Sequence, residues 1–391
     1  MLALDGINIL DLTWQGPGPL ATMILGDLGA EIIQIGATPS AGARQAIRVT
    51  GQRAVAYQAV NRNKRNLLLD LKSEEGRRIF HHLAREADVI VDGFRPGVSE
   101  RLGIDYATVS WINPEIIYCA ITGYGQDGPY RDLPGHDINY ISMAGVLNLI
   151  GEADRQPVVP LNLIADYGAG GKDAAIGILG ALIARGKTGR GQYIDISLTD
   201  SAISLLTESV LGSYFQSGVE PGRGDHALGG GFPGYNIYQA KDGRYITIGC
   251  LEPWLWENFC QAIGREEFVP YQSRRDEWGE LSAYLKQLFL TRTRDEWFDF
   301  LSQRDVPVGK VYSLDEVFND PQVIHRRMAI ELEHPAEGPV RQVGFAIKLS
   351  DTPGQVRRLP PLPGEHTEEI LLGLGYGKRK INRLRREGVI G

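Results

Sequence analysis

The first half of the chain repeats one pattern, in which a short apolar segment of strand length is followed by a helical segment and by another apolar strand. Strands are predicted at 7–12, 31–35, 65–71, 87–92, 116–122 and 192–197, and helices at 20–28, 74–86 and 172–185. Strands that alternate with helices pair in parallel in the same sheet. The pattern therefore predicts an α/β fold with a doubly wound parallel sheet.

The pattern changes after residue 200. Glycines cluster over 212–234, which is typical of a linker or crossover, and a hairpin around Asp242-Gly243 is predicted within 235–248. Amphipathic helices are predicted at 254–263, 280–290 and 294–303, and two more in the tail at 365–374 and 377–387. A second domain therefore follows the parallel sheet.

Charge and composition exclude several classes of function. The 391 residues carry a formal net charge of −7, which argues against a nonspecific partner among nucleic acids or anionic membranes. The longest apolar run, 174–184, is shorter than the about 18–20 residues that span a bilayer. Three cysteines without a CxxC pair favour reduced, inert thiols. We expect a soluble, cytoplasmic protein, in which an anionic ligand meets a local cluster of positive charge.

The segment GPGPLA at 16–21 follows the first strand and satisfies the dinucleotide-binding pattern G-x-G-x-x-A. Pro17 and Pro19, however, lack the backbone N–H groups that would bind a pyrophosphate, and the second strand ends without the acidic residue that binds a ribose. We therefore interpret the segment as a turn that begins a helix, with prolines in the first helical turn.

The densest polar cluster comprises GYGQDGP at 123–129, GHDINY at 135–140 and LNLIADYG at 161–168. His136 lies in a glycine-preceded polar loop, where a histidine is either a structural hydrogen-bonding group or a catalytic base. Asp166 precedes a glycine-rich helix start, so it either caps the helix or acts as a base or nucleophile. In both roles the positive end of the helix favours the ionised carboxylate.

Basic residues gather at 62–65 and again after the fourth predicted strand. Runs of this kind usually form a solvated surface. Arg95 and Arg101, however, follow the carboxyl end of a parallel strand, where open α/β sheets bind ligands. A phosphate clamp is therefore the alternative for these arginines.

Several of these segments together resemble the superfamily of family III CoA-transferases and α-methylacyl-CoA racemases, the CaiB/BaiF type. They are LDG at 4–6, GDLGAE at 26–31, NRNKR at 61–65, RPGV at 95–98, LG at 102–103, GYGQDGP, GHDINY, GEHT at 364–367 and LGY at 374–376. The resemblance implies an interlocked homodimer whose subunits each have a Rossmann-like large domain and a smaller α+β domain. It also implies the domain boundaries: 1–200 for the large domain, 201–232 for a linker, 233–320 for the small domain, 321–345 for a return linker and 346–391 for the C-terminal part that completes the large domain.

The racemase branch is the closer match, and it implies two-base proton transfer at the α-carbon of a 2-methylacyl-CoA. Its catalytic residues carry over to His136 and Asp166, and Glu252 would orient His136, acting across subunits. The enolate oxygen would be bound by the backbone N–H of Asp137, with Asn162 as a second donor or as an organiser of the site. The groups that would bind CoA are Lys64, Arg95 and Arg101 at its phosphates and Tyr140 near the pantetheine or thioester.

Two further implications of the resemblance concern the substrate. CoA enters as part of the acyl-CoA substrate, and no metal or other cofactor is needed because the thioester supplies the acidity. The second strand ends in Gln34-Ile35-Gly36, where relatives have a K-V-E-like sequence, so the nearest arginine for the nucleotide end of CoA is Arg44. The alternatives are CoA transfer to a free carboxylate, with Asp166 as nucleophile, and a catalytically silent CoA-binding protein.

Overall fold

The structure is a computed structural model that describes residues 1–38, 59–334 and 338–391. Arg44 lies outside these described residues. The described strands are β1 (Asn8–Asp11), β2 (Glu31–Gly36), β3 (Lys64–Leu68), β4 (Val89–Asp92), β5 (Ile117–Thr122), β6 (Tyr193–Ser197), β7 (Tyr235–Gln239), β8 (Tyr245–Gly249), β9 (Val308–Lys310), β10 (Ala329–His334) and β11 (Gly338–Val343).

The described α-helices are α1 (Pro17–Asp27), α2 (Glu74–Glu86), α3 (Val98–Leu102), α4 (Tyr106–Ile112), α5 (Asp137–Met143), α6 (Val146–Leu149), α7 (Lys172–Thr188), α8 (Leu198–Ser204), α9 (Gly212–Ser217), α10 (Pro253–Ala262), α11 (Trp278–Phe289), α12 (Arg294–Ser302), α13 (Leu314–Val317), α14 (Pro321–His325), α15 (Thr367–Gly373) and α16 (Lys378–Arg386). Among the described segments, Leu163–Gly171 and Thr207–Leu211 are π-helices, and Ala227–Gly229, Glu266–Ser273 and Arg275–Glu277 are 3-10 helices. None of the described helices is long and apolar enough to cross a bilayer.

Six strands form one parallel sheet in the order β3-β2-β1-β4-β5-β6. Because β1 pairs with β2 on one side and with β4 on the other, the strand order reverses between β1 and β4. Ligands of such sheets bind beyond the carboxyl ends of the strands at this reversal. The segments that follow β1 and β4 therefore lie at the edge where a ligand is expected. The predicted α/β fold with a parallel sheet is confirmed.

The chain divides into two units. The large unit comprises Met1–Ala144, Pro160–Leu205 and Gln322–Gly391, and the small unit comprises Gly145–Val159 and Leu206–Pro321. The large unit contains the parallel sheet and the antiparallel pair β10–β11. Its core is built from continuous apolar runs, such as Val89, Ile90 and Val91 of β4, which are fully buried as expected for central parallel strands.

Helix α2 illustrates how the sequence forms the layer that covers the sheet. The Ser73 hydroxyl accepts a hydrogen bond from the Gly76 N–H at 3.0 Å and so caps the helix. Ile79, Phe80 and Leu83 recur at helical spacing and are buried in the same core as Leu10 of β1. The predicted helix at 74–86 is confirmed because its cap and its apolar stripe are both local in sequence.

The small unit contains the antiparallel sheet β7-β8-β9. β7 and β8 form the predicted hairpin, with Gly243 at φ +76° in its turn. The core of this unit is rich in aromatic residues, and it includes Trp256, Phe259, Phe289 and Trp297. The small unit therefore has a core of its own, as an independent domain does.

Candidate active site

His136 stands at the start of α5, after the loop that leaves β5. Its backbone N–H donates to Oδ1 of Asn139 at 3.0 Å, which satisfies one N–H group at the beginning of the helix. The Tyr140 hydroxyl donates to the carbonyl of Gly135 at 2.5 Å and fixes the residue before His136. The imidazole is exposed, so a short local network orders the backbone of His136 and leaves its ring accessible.

Asp166 lies inside the first turn of the π-helix Leu163–Gly171. Its Oδ2 accepts a hydrogen bond from Nδ2 of Asn162 at 3.2 Å. Of the two roles left open for Asp166, capping is not the one seen, because Asn162 occupies the N-cap position and the Asp166 carboxylate accepts a hydrogen bond from a side chain. Leu161, just before the cap, has φ +59°, a strained conformation for a branched side chain. Strain and π-helical turns are both common at functional sites.

Asp137 connects these two elements. Its Oδ2 accepts a hydrogen bond from the backbone N–H of Asp166 at 2.8 Å, and its side chain is buried, with 2% of the residue exposed. Because Asp137 directly follows His136, this bond holds the Asp166 backbone close to His136, and the charge of His136 acts on the pKa of the Asp166 carboxyl. Five of the predicted site residues thus lie on or next to α5 and the π-helix: His136, Asp137, Tyr140, Asn162 and Asp166.

The electrostatics of the site act on Asp166. Burial is the largest effect and raises the pKa of this carboxyl above its usual value, and the charge of Asp137 raises the pKa further. The hydrogen bond from Asn162 and the charge of His136 lower the pKa, but burial prevails. Burial thus outweighs any stabilisation of the ionised form that the helix terminus was expected to give. Asp166 is a carboxyl group that can hold a proton at a higher pH than an exposed aspartate.

The glycine–proline turn lies against this carboxylate. α1 begins at Pro17 with Gly16 as its N-cap, so the interpretation as a turn that begins a helix is confirmed. Gly16 has φ +69°, and a Cβ at this position would lie 3.5 Å from Oδ2 of Asp166. Gly16 is a site residue that the sequence analysis missed, since its pattern suggested only a dinucleotide site or a plain turn.

Lys64 does not lie where a phosphate could reach it. Its ammonium group is fully buried, 3.0 Å from Oδ2 of Asp11 and 3.1 Å from the carbonyl of Pro19. Burial lowers the pKa of Lys64, and the charge of Asp11 opposes this effect. The structure therefore contradicts the expected contact of Lys64 with a CoA phosphate. Lys64 of β3 instead forms an internal ion pair with Asp11 of β1 and donates a hydrogen bond to α1.

Arg95 and Arg101 lie beyond the carboxyl end of β4, at the expected ligand edge. Both side chains are exposed, and neither forms an ion pair with a carboxylate of the described residues. The charge of Arg95 acts on the pKa of Tyr140, which burial raises to about 12. Tyr140 is 8% exposed and its hydroxyl is bonded to Gly135, so its visible role is to hold the loop before His136.

Glu252 belongs to the small unit, where it is the N-cap residue of α10 and is exposed. Its expected role in orienting His136 stays a prediction. No group of His, Cys, Asp and Glu side chains within the described ranges is arranged to hold a metal ion.

The chain is similar to proteins of one enzyme family along its whole length. The profile of CoA-transferase family III matches residues 4–367. Alpha-methylacyl-CoA racemase from Homo sapiens is 33% identical over 390 residues, covering 100% of this chain and 98% of the relative. Succinyl-CoA:glutarate CoA-transferase from Homo sapiens is 34% identical over 397 residues, covering 99% of this chain and 90% of the relative.

A solved structure gives the same result for the fold. The crystal structure of a CaiB/BaiF family protein from Brucella suis superposes with a TM-score of 0.81 at 30% identity, covering 95% of this chain and 99% of that one. Fold and sequence thus define the same class, enzymes that act on CoA thioesters. The chain belongs to CoA-transferase family III. Its relatives include both racemases and CoA-transferases at nearly equal identity.

Proposed function

We propose that this protein is a racemase or epimerase of 2-methylacyl-CoA thioesters that uses His136 and Asp166 as its two bases. The proposal is supported chiefly by the bond between the Asp137 carboxylate and the Asp166 N–H, next to His136 in the chain, and by the effect of the His136 charge on the pKa of the Asp166 carboxyl. One base removes the α-proton, and the protonated partner returns a proton to the opposite face. The pair therefore holds one proton before and after each turnover.

The enolate formed between these steps needs hydrogen-bond donors at the thioester oxygen. Asp137 is the first residue of α5, and N–H groups of a first helical turn have no partner within the helix. Its N–H is the proposed donor, and one well-placed donor of this kind stabilises a transition state by about 3–4 kcal/mol. Asn162 already donates to Asp166, so we assign it to organising the base.

The exposed guanidinium groups of Arg95 and Arg101 are the proposed contacts to the CoA phosphates. They lie beyond β4, at the ligand edge of the sheet, and have no carboxylate partner among the described residues. Replacing Arg95 by Ala is expected to raise KM for an acyl-CoA with little change in kcat. Such a split follows when a contact is made equally in the ground state and in the transition state.

We also propose that the protein acts as an interlocked homodimer in a reducing compartment such as the cytoplasm. Ile176 and Ile183 lie seven positions apart on one face of α7 and are 64% and 63% exposed, and exposed apolar surface of this kind often marks a protein–protein contact. A second copy of the chain is the proposed cover for this face.

The reducing compartment is supported by Cys119, Cys250 and Cys260, which are all buried and unpaired.

The test is incubation of a 2-methylacyl-CoA in deuterated water. The proposal expects deuterium at C2 together with inversion, and it expects the His136→Ala variant to lose inversion.

Transfer of CoA to a free carboxylate is the second candidate, because a relative at 34% identity is named a CoA-transferase. In that reaction ionised Asp166 would attack the thioester carbonyl as a nucleophile and displace the CoA thiolate, and His136 would not be needed as a second base. Transfer of label into a free acid, with no deuterium at C2, would support the transferase instead.

A further inference from the structure

The Asp137 side chain is a buried carboxylate with an incomplete set of hydrogen bonds. Oδ2 accepts the Asp166 N–H at 2.8 Å, whereas Oδ1 is buried and has no partner among the described residues. Buried carboxylates usually accept several hydrogen bonds, because the ionised form has lost its water. The proposed function assigns a chemical step to the backbone N–H of this residue and uses the side chain only as a contact to Asp166, so the buried charge of Asp137 has no assigned role.

The surroundings of Asp137 point to Asp166 as the group on which it acts. The elements that pack against the π-helix include α1, α5, α7 and α8. α1 presents the uncharged Gly16 to the carboxylate. The charges that act on Asp166 come from α5 and its N-cap residue, since Asp137 raises the pKa of Asp166 and His136 lowers it. The polar neighbours are Asn162 of the π-helix itself and Tyr140 of α5, whose pKa the charge of Asp166 helps to raise.

We propose that Asp137 is a positioning residue of the two-base pair, whose buried carboxylate holds the Asp166 peptide and whose negative charge helps the pair to retain its shared proton. This inference rests on the proposed racemase function. Turnover in both directions requires two arrangements of that proton, one on Asp166 and one on His136. A negative charge beside Asp166 brings the two arrangements closer in energy, because it stabilises the protonated carboxyl relative to the ionised one.

The Asp137→Asn variant separates charge from position, since the amide oxygen can still accept the Asp166 N–H. Loss of the charge lowers the pKa of Asp166, so the acid limb of the kcat/KM profile should move to lower pH. The Asp137→Ala variant also loses the hydrogen bond, and the displaced carboxylate should cost on the order of 10²-fold in kcat. Asp132→Asn, an equal charge change at an exposed position of the same loop, should leave the profile unchanged. An unchanged acid limb in Asp137→Asn would overturn the inference.

Carbon-13 NMR titration of the Asp166 carboxyl gives the same information without turnover. The Asp166 resonance should titrate at lower pH in Asp137→Asn than in the wild type, and equal titration would refute the role of Asp137. If the wild type exchanges no α-proton in any acyl-CoA, the racemase proposal fails while this titration still reports on Asp137. Should Asp137→Asn not fold, Asp137→Ser retains a hydrogen-bond acceptor and is titrated in its place.

Discussion

Two carboxylates of the large unit are buried to a similar extent but bonded very differently. Asp11 is 0% exposed and accepts hydrogen bonds from the Thr13 N–H, the Thr13 and Thr22 hydroxyls and the Lys64 ammonium. Asp137 is 2% exposed and accepts one, from Asp166. A carboxylate with a full set of hydrogen bonds, such as Asp11, supports the fold. Asp137 has one hydrogen bond and lies beside the half-buried Asp166, so its charge can act on the Asp166 carboxyl. The number of hydrogen bonds thus distinguishes the carboxylate that joins elements of the fold from the one at the candidate site.

The GPGP turn at 16–19 contacts both the hydrogen-bonded cluster around Asp11 and the Asp166 carboxylate. A Cβ at Gly18 would lie 2.4 Å from Cγ2 of Thr13, in the Asp11 cluster, whereas a Cβ at Gly16 would face the Asp166 carboxylate at 3.5 Å. The alternate glycines of the GPGP segment therefore have different reasons to be glycine. Gly18 allows close packing within the fold, and Gly16 allows close approach to the carboxyl proposed as a base.

The largest expected effect is on activity. Asp166→Asn removes one of the two proposed bases and should lower the rate of racemisation by about 10²–10⁴-fold, the range typical of a general acid or base. Its secondary structure, followed by circular dichroism, should not change. Asp132→Asn serves as the control and should keep full activity, and an Asp166→Asn variant that racemises at the wild-type rate would exclude Asp166 as a base.

The next effect is on stability. Lys64→Met leaves Asp11 as an uncompensated buried charge and should lower the free energy of unfolding by about 3–5 kcal/mol, measured by urea titration. Arg78→Met is the control, because Arg78 pairs with Glu74 on the surface and such pairs are worth about 0–1 kcal/mol. Equal small losses in both variants would mean that the buried pair does not support the fold.

The two glycines of the turn give a direct contrast. Gly18→Ala should lower the free energy of unfolding by about 1–3 kcal/mol, because its methyl group overlaps Thr13. Gly16→Ala should cost about 1–3 kcal/mol for its positive φ and should in addition lower kcat. If kcat, corrected for the folded fraction, falls equally in both variants, Gly16 has no special relation to the site.

The smallest effect concerns stability against pH. The pKa of Asp166 is higher in the folded protein than in the unfolded chain, so folding disfavours the ionised form. This group therefore lowers the free energy of unfolding at neutral pH and no longer does so below its unfolded pKa of 3.8. Asp166→Asn should therefore raise Tm slightly at neutral pH, and the gain should disappear as the pH falls through the folded pKa towards 3.8. A lower Tm at neutral pH would show that the carboxylate supports the fold as Asp11 does.

Local sequence patterns predicted most of the elements. The helix predicted at 294–303 is Arg294–Ser302, and the strand predicted at 31–35 is Glu31–Gly36, because caps, turns and apolar periodicity act within a few residues. The pairing of side chains could not be predicted in the same way. Lys64 belongs to a basic run in the sequence, and such a run predicts a surface or a phosphate site. The opposite signal is Asp11, because a carboxylate in an apolar strand indicates a buried cationic partner.

The candidate site could likewise be predicted only where its residues belong to local sequence motifs. His136 and Asp166 carried recognisable motifs, but the bond between Asp137 and the Asp166 N–H joins segments 29 positions apart and depends on how α5 packs on the π-helix. Burial of Asp166 likewise depends on tertiary packing. The pKa of Asp166 could therefore not be predicted from the helix terminus alone.

The central claim is that His136 and Asp166 serve opposite faces of one carbon, and exchange with single enantiomers tests it most directly. With one base removed, the remaining base can still exchange the α-proton that faces it, without inversion. In deuterated water His136→Ala should label one enantiomer of a 2-methylacyl-CoA, and Asp166→Asn should label the opposite one. Labelling of the same enantiomer by both variants, or of neither enantiomer by the wild type, would contradict the two-base account.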